Sequence, residues 1–189
     1  MLELRASSLA DTHAIAAAIA DQARAGDLIV LAGEMGAGKT AFAQGFGRAL
    51  GIDEPITSPT FTLVHSYDIT APGPSRRARQ LHHADLYRLD RTAEIADLAL
   101  DELAEYHGIV LVEWGDVVES MFGDHLVVHL EHDDDPDGDP DDDQDGDAAP
   151  DDERDELDSP RRRIEISASG PSWAPRWAAI VEACEAYAC

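Results

Sequence analysis

The chain has 189 residues, 44% of them hydrophobic, which suits one domain with a sizeable core and an appendage. Its formal charge of −25 is concentrated, because Glu131 to Asp158 holds 17 acidic residues and one arginine, a local −16 that leaves −9 elsewhere. That balance argues against a basic nucleic-acid-binding face, and cysteines only at 184 and 189 exclude a disulfide framework or a cysteine metal site. No basic segment followed by a long apolar run opens the chain, and no run approaches a membrane span. The expectation is a cytoplasmic protein without membrane contact.

In chain order, Leu2–Ala6 reads as a short strand. Ser7 or Ser8 then caps an alanine-rich helix that Gly26 stops. The run DLIVLAG at 27–33 is apolar and ends in glycine, as a buried parallel strand does. A helix is predicted from Lys39 to about Leu50, with Gly51 as its stop. TFTLVHSYD (60–68) is rich in β-formers, and the Pro/Gly/Ser stretch after it is a loop. LHHADLYRL (81–89) reads as a strand, 92–106 as a helix and GIVLVEWGD (108–116) as another buried strand. Residues 125–132 and 161–169 are the last two strands, with no helix between them, so they pair antiparallel. A helix closes the chain, with Pro175 in its first turn. The alternation predicts an α/β fold, a mostly parallel central sheet flanked by helices with a C-terminal antiparallel pair.

This divides the chain into one folded domain, residues 1–131 and 161–189, and an acidic, proline-broken insert, 132–160, expected to be disordered. Within the insert, Asp133, Asp135, Asp137 and Gly138, and again Asp141, Asp143, Asp145 and Gly146, match the opening of an EF-hand loop. The twelfth positions are Gln144 and Asp152, not the glutamate a calcium loop needs, so the stretch reads as solvated charge. Two arginine clusters, Arg76–Arg79 and Arg161–Arg163, also read as solvated loop charges.

The chemistry is concentrated in Gly33-Glu34-Met35-Gly36-Ala37-Gly38-Lys39-Thr40, which fits G-x-x-x-x-G-K-[ST]. Glycines let backbone N–H groups turn inward as an anion nest, and the following helix adds its positive end. Lys39, the only lysine among 14 basic side chains, supplies a compact, mobile cation that a forked arginine replaces poorly. Thr40 would place its hydroxyl on Mg²⁺ and Ala41 would follow it at the nucleotide. Glu113, an acid at the end of an apolar strand, points toward the nucleotide crevice as a metal or water-positioning group. Asp85 is a second acid of that kind, although acids at strand ends also cap turns.

In this order and spacing, GEMGAGKT, TSPTFTLVHSY (57–67), HADLYRL (83–89) and VEWGD (112–116) resemble the TsaE (YjeE) family. The resemblance covers residues 1–131 and 161–189 and implies a small bacterial P-loop ATPase serving threonylcarbamoyladenosine synthesis in tRNA. It implies that Lys39, Asp85 and Glu113 are catalytic, and that Gly33–Thr40 hold the ATP phosphates. Thr40, Asp85 and Glu113 would gather around Mg²⁺. Thr60 would contact the γ-phosphate from a switch-like SPTF segment, and Trp114 is similar to the family's tryptophan, against simple packing at a strand end. His83, Tyr87 and Arg88 match the motif, Arg88 reading equally as a phosphate or partner contact and as a structural ion pair. TsaD and TsaB are the implied protein partners, and the charge balance argues against direct tRNA contact. The acidic insert departs from the family pattern. Two other readings stay open: a small-molecule P-loop kinase, whose arginine lid would have to be Arg76–Arg79, and a nucleotide-gated binding module without turnover.

Overall fold

Eleven regular elements are present in the computed structural model, which describes residues 1–59, 62–71, 78–87, 94–95, 97–114, 122–133 and 161–189. Strand β1 is Leu2–Ala6 and helix α1 is Leu9–Gln22. Ser8 caps α1 by accepting from Asp11 N at 3.1 Å, while Ser7 N, one residue before the cap, donates to the Asp11 carboxylate at 2.8 Å. Strand β2 (Leu28–Ala32) is buried at every residue, as its unbroken apolar run requires. Helix α2 (Lys39–Ala49) begins immediately after Gly38. Then come β3 (Val64–Asp68), β4 (Gln80–Asp85), α3 (Leu100–Glu105) and β5 (Gly108–Glu113). The chain ends with β6 (His125–His132), β7 (Arg162–Ser169), a 3₁₀ turn at Ala174–Arg176, α4 (Trp177–Ala183) and a last 3₁₀ turn at Glu185–Tyr187.

All seven strands form one sheet in the order β1-β7-β6-β2-β5-β4-β3. The four central strands, β6, β2, β5 and β4, are mutually parallel, and β6–β7 is antiparallel as expected. Antiparallel pairing extends further than the last two strands, because β1 joins β7 and β3 joins β4 in that sense at the two edges. On one face Ile29, Leu31, Leu81, Ile109 and Leu111 meet Phe42 and Phe46 of α2 and Ile15 and Ile19 of α1. On the other, Leu28, Val30, Ala84, Val110 and Val112 are covered by Ile95, Leu100 and Ala104. At ~25 cal/mol per Å² of apolar area, these two cores are the main source of stability.

Several boundaries move for identifiable reasons. The helix read over 92–106 is broken at Ala99, whose φ is 48°, and α3 starts one residue later. Ile95 and Leu100 both enter the same core, yet five helical residues would set them about 140° apart, so the break lets both face the sheet. Strand β4 stops at Asp85, where the Tyr87 backbone N–H turns back onto the Asp85 carboxylate at 2.9 Å. The strand read from 60 begins at Val64, after Thr62 and Leu63 turn back to the Pro59 carbonyl. The closing helix is divided into two 3₁₀ turns around α4, with Pro175 in the first of them. Most of the acidic insert, residues 134–160, lies outside the described residues. It connects β6 to β7, whose outermost register pair is His132 with Arg162.

Candidate functional site

The parallel register decides what meets at the carboxyl end of the sheet. Leu31 of β2 is level with Glu113 of β5, and Glu113 is level with Asp85 of β4. The two acids therefore end adjacent strands on the face that α2 covers. The loop from Gly33 to Gly38 joins β2 to α2 above them. Gly33 has a φ of 130°, and a Cβ there would lie 2.1 Å from the Leu130 carbonyl oxygen, so only glycine fits. Gly38, at φ 103°, makes the left-handed entry into α2.

These elements enclose a cavity of about 440 Å³ lined by Met35, Gly36, Gly38, Lys39, Thr40, Ala41, Ser58, Asp85, Tyr87, Glu113 and Trp114. Of the residues singled out in the sequence, ten line this cavity. Gly33 and Glu34 stand behind it, giving their carbonyls to Lys39 Nζ at 2.8 and 2.7 Å. Ala37 is buried beneath the loop. Glu34 instead lines a neighbouring depression with His129, Glu131 and His132. Thr60 and Arg88 lie outside the described residues.

Inside the cavity the polar groups are linked. Thr40 donates its hydroxyl to Glu113 at 3.0 Å from Oε1 and 3.3 Å from Oε2. His83, fully buried, meets Glu113 Oε1 through Nε2 at 2.9 Å. Ser58 donates its hydroxyl to Asp85, which also accepts the Tyr87 amide. Lys39 Nζ sits 3.7 Å from the centre of the Trp114 ring, and Tyr87 packs against the same ring with centroids 4.9 Å apart. Trp114 has a φ of 62°, a costly conformation for a bulky residue, and its N–H is held by the Leu31 carbonyl at 3.0 Å. The strained turn is what places an indole over the lysine.

Ser58, His83 and Tyr87 are the members to which the sequence assigns no role. Their signal was available for His83: His83 and Asp85 are two apart on a strand and so share a face, the one Glu113 also occupies. Arg162 was misread. It is no solvated charge, because Nε donates to the Ala37 carbonyl at 2.8 Å and Nη2 to the Gly36 carbonyl at 3.3 Å.

The donor set fits a hard divalent cation. Two carboxylates and a hydroxyl are oxygen ligands, and Mg²⁺ commonly takes one or two carboxylates and fills its remaining positions with waters and substrate phosphates. Among the described residues no three His, Cys, Asp or Glu side chains form an all-protein cage, as that mode of binding allows.

A parallel sheet, a glycine loop entering a helix at its lysine, and acids on the neighbouring strand ends define an α/β protein of P-loop NTPase-like fold. Comparison with known proteins is more specific. The family model described as threonylcarbamoyl adenosine biosynthesis protein TsaE matches residues 6–139, and the chain belongs to that family. It is 40% identical over 121 residues to the tRNA threonylcarbamoyladenosine biosynthesis protein TsaE of Bacillus subtilis, a match covering 64% of this chain and 70% of that one. The protein of the same description from Mycobacterium bovis is 38% identical over 128 residues, covering 64% and 73%. The fold is similar to the crystal structure of Bacillus subtilis YdiB, with a TM-score of 0.61, 28% identity and coverage of 98% and 94%.

Proposed function

We propose that the protein is a Mg²⁺-dependent ATP-binding and ATP-hydrolysing subunit for threonylcarbamoyladenosine modification of tRNA, acting through TsaD and TsaB. The observation that carries the proposal is the meeting of Lys39, Thr40, Asp85 and Glu113 in one cavity under a glycine loop. Family membership supports the pathway, and TsaD and TsaB are the partners that the resemblance implies.

The loop N–H groups and the start of α2 would hold the phosphates, since both present positive ends to an anion. Lys39 is held between two loop carbonyls and the Trp114 ring, and phosphate oxygens would take the place of those carbonyls as its acceptors. Thr40, Asp85 and Glu113 would hold Mg²⁺, which when bound neutralises charge on the phosphate oxygens. His83 orients Glu113 and Ser58 orients Asp85, so neither carboxylate has to be ordered when substrate arrives. Tyr87 and Trp114 form a wall that limits water at the phosphates.

A kinase reading would need an arginine lid over this cavity. Arg79, the member of that cluster within the described residues, precedes β4 at its amino end and bonds there to the His107 carbonyl. Asp85 is six residues further along the strand, about 20 Å at ~3.3 Å per residue. Arg79 is thus at the far end of the sheet from the phosphate loop.

The test is calorimetry of Mg²⁺–ATP binding to wild type and Lys39→Ala. The expected loss is about 100-fold or more, roughly 3 kcal/mol. Unchanged affinity would show that the loop is not a phosphate site. Phosphate release separates an ATPase from a binding module, and co-purification with TsaD and TsaB with and without ATP tests the partners.

A further inference from the structure

Arg162 is the first residue of β7, 125 positions from the loop it touches. It arrives there through register. β6 lies beside β2 in the sheet, β7 lies beside β6, and the His132–Arg162 pair sets the end of that ribbon level with the loop leaving β2. A Cβ on Gly36 would come within 3.7 Å of His132 Nε2, and a Cβ on Gly38 within 3.4 Å of Arg162 Nε. The ribbon end is in contact with the loop's outer side.

The guanidinium makes a forked contact there, Nε to the Ala37 carbonyl at 2.8 Å and Nη2 to the Gly36 carbonyl at 3.3 Å. Nη1 is tied back to the Arg161 carbonyl at 3.1 Å, which fixes the plane of the fork. In a trans peptide the carbonyl and the following N–H point to opposite sides, and the described chain has no cis bond. Holding the Ala37 carbonyl on the β7 side therefore turns the Gly38 N–H to the other side, where Gly38 lines the cavity. The Ala37 N–H is already used within the loop, on the Glu34 carbonyl at 3.2 Å. The Gly38 N–H is the nest donor whose direction Arg162 sets.

We propose that Arg162 is a positioning residue of the phosphate-binding loop, orienting its peptide groups from outside without touching the ligand. This rests on the nucleotide reading above. A lysine ammonium can also reach two carbonyls, as Lys39 does, but it lacks the planar fork that fixes the directions of both peptide groups. Arg163, the next residue, is exposed and carries the same charge, which makes it the control for simple loss of positive potential.

The experiment measures Mg²⁺–ATP and Mg²⁺–ADP affinity and steady-state hydrolysis in the full chain for wild type, Arg162→Gln, Arg162→Lys, Arg163→Gln and Lys39→Ala. Arg162→Gln is expected to weaken both nucleotides about tenfold, the size of a lost charge-assisted hydrogen bond. Its KM should rise while kcat at saturation stays within about twofold, because the groups that face the phosphates are untouched. Arg162→Lys should fall between, and Arg163→Gln should match wild type. Equal affinity in wild type and Arg162→Gln, or equal losses at positions 162 and 163, would overturn the assignment. Should Arg162→Gln not fold, Arg162→Lys takes its place, and wild-type affinity in that variant would equally overturn it. A wild type that binds no nucleotide, or binds it independently of Lys39, would sink the reading of the site and this assignment with it. Lys39-dependent binding with an unaffected Arg162→Gln would sink the assignment alone.

Discussion

Strand β2 has buried charge at both ends, handled in opposite ways. At its amino end Asp27 and Arg176, 6% and 3% exposed, form a two-pronged pair at 2.5 and 2.9 Å. Arg176 also donates to the Gln22 and Ser172 carbonyls and stacks on Trp173 at 3.9 Å, while Asp27 accepts the Arg24 amide. Each charge there has its opposite and its full complement of hydrogen bonds. At the carboxyl end Asp85 and Glu113 are buried just as deeply. Among the described residues their partners are hydroxyls, an amide and an imidazole, with no lysine or arginine in ion-pair range. Lys39 rests on carbonyls and an aromatic ring. These buried polar and charged groups converge on one cavity, an arrangement that marks candidate functional sites. One end is a fastening and the other the candidate site.

The sharpest way to break this comparison is at the fastening. Arg176→Met removes one partner of a buried pair and leaves Asp27 uncompensated, which is expected to cost about 3–5 kcal/mol. Denaturant unfolding should show a lower midpoint, and ATP affinity measured on the folded fraction should stay at the wild-type value. A change in nucleotide affinity would mean the two ends of β2 are coupled. A stability loss below about 1 kcal/mol would mean the pair holds nothing together.

A smaller effect separates the groups within the site. His83→Leu takes a hydrogen bond from Glu113, and about a tenfold loss in hydrolysis is expected from misplacing that carboxylate. Glutamine can present an N–H near the position of imidazole Nε2, so His83→Gln should recover most of the loss. Equal loss in both variants would assign His83 to packing alone. The Mg²⁺ concentration for half-maximal binding is the second readout. It should rise in His83→Leu and return toward wild type in His83→Gln.

How much of this was legible in the chain depends on what each residue answers to. The β2–loop–α2 unit could be read because its cause is local: an apolar run, three glycines and a lysine at fixed offsets. Glu113 was readable too, since an acid ending a buried strand has few places to point. Ser58 and Arg162 were not, because their meaning lies in register. Arg162 reaches the loop only through the order β2-β6-β7 and a hairpin whose connection is an acidic stretch with no structural signal of its own. In the SPTF segment Thr60, the contact expected from the sequence, lies outside the described residues, and Ser58 lines the cavity. Nor does any local signal tell that His132 and Arg162, on either side of the acidic stretch, flank the glycine loop.

The smallest effect belongs to the fastened end and tests whether its burial persists in solution. Cys184 follows α4 and is fully buried, and burial pushes its thiol from the ordinary 9.0 to about 11. At pH 8 about one such thiol in a thousand is ionised, so an alkylating reagent should consume exposed Cys189 first. Because the folded pKa lies above the unfolded one, the unfolded chain loses this proton first as pH rises. The contribution is fully present below pH 9 and declines toward pH 11, roughly 1 kcal/mol between pH 8 and pH 10. Cys184→Ala should lose stability at pH 8 from the smaller side chain, yet show a correspondingly shallower fall between those two pH values. Arg176→Met should speed Cys184 alkylation, since the fastening and the C-terminal helix open together, whereas adding Mg²⁺–ATP should leave the rate unchanged. Protection of Cys184 by nucleotide would join the two ends of the molecule that the buried charges keep apart.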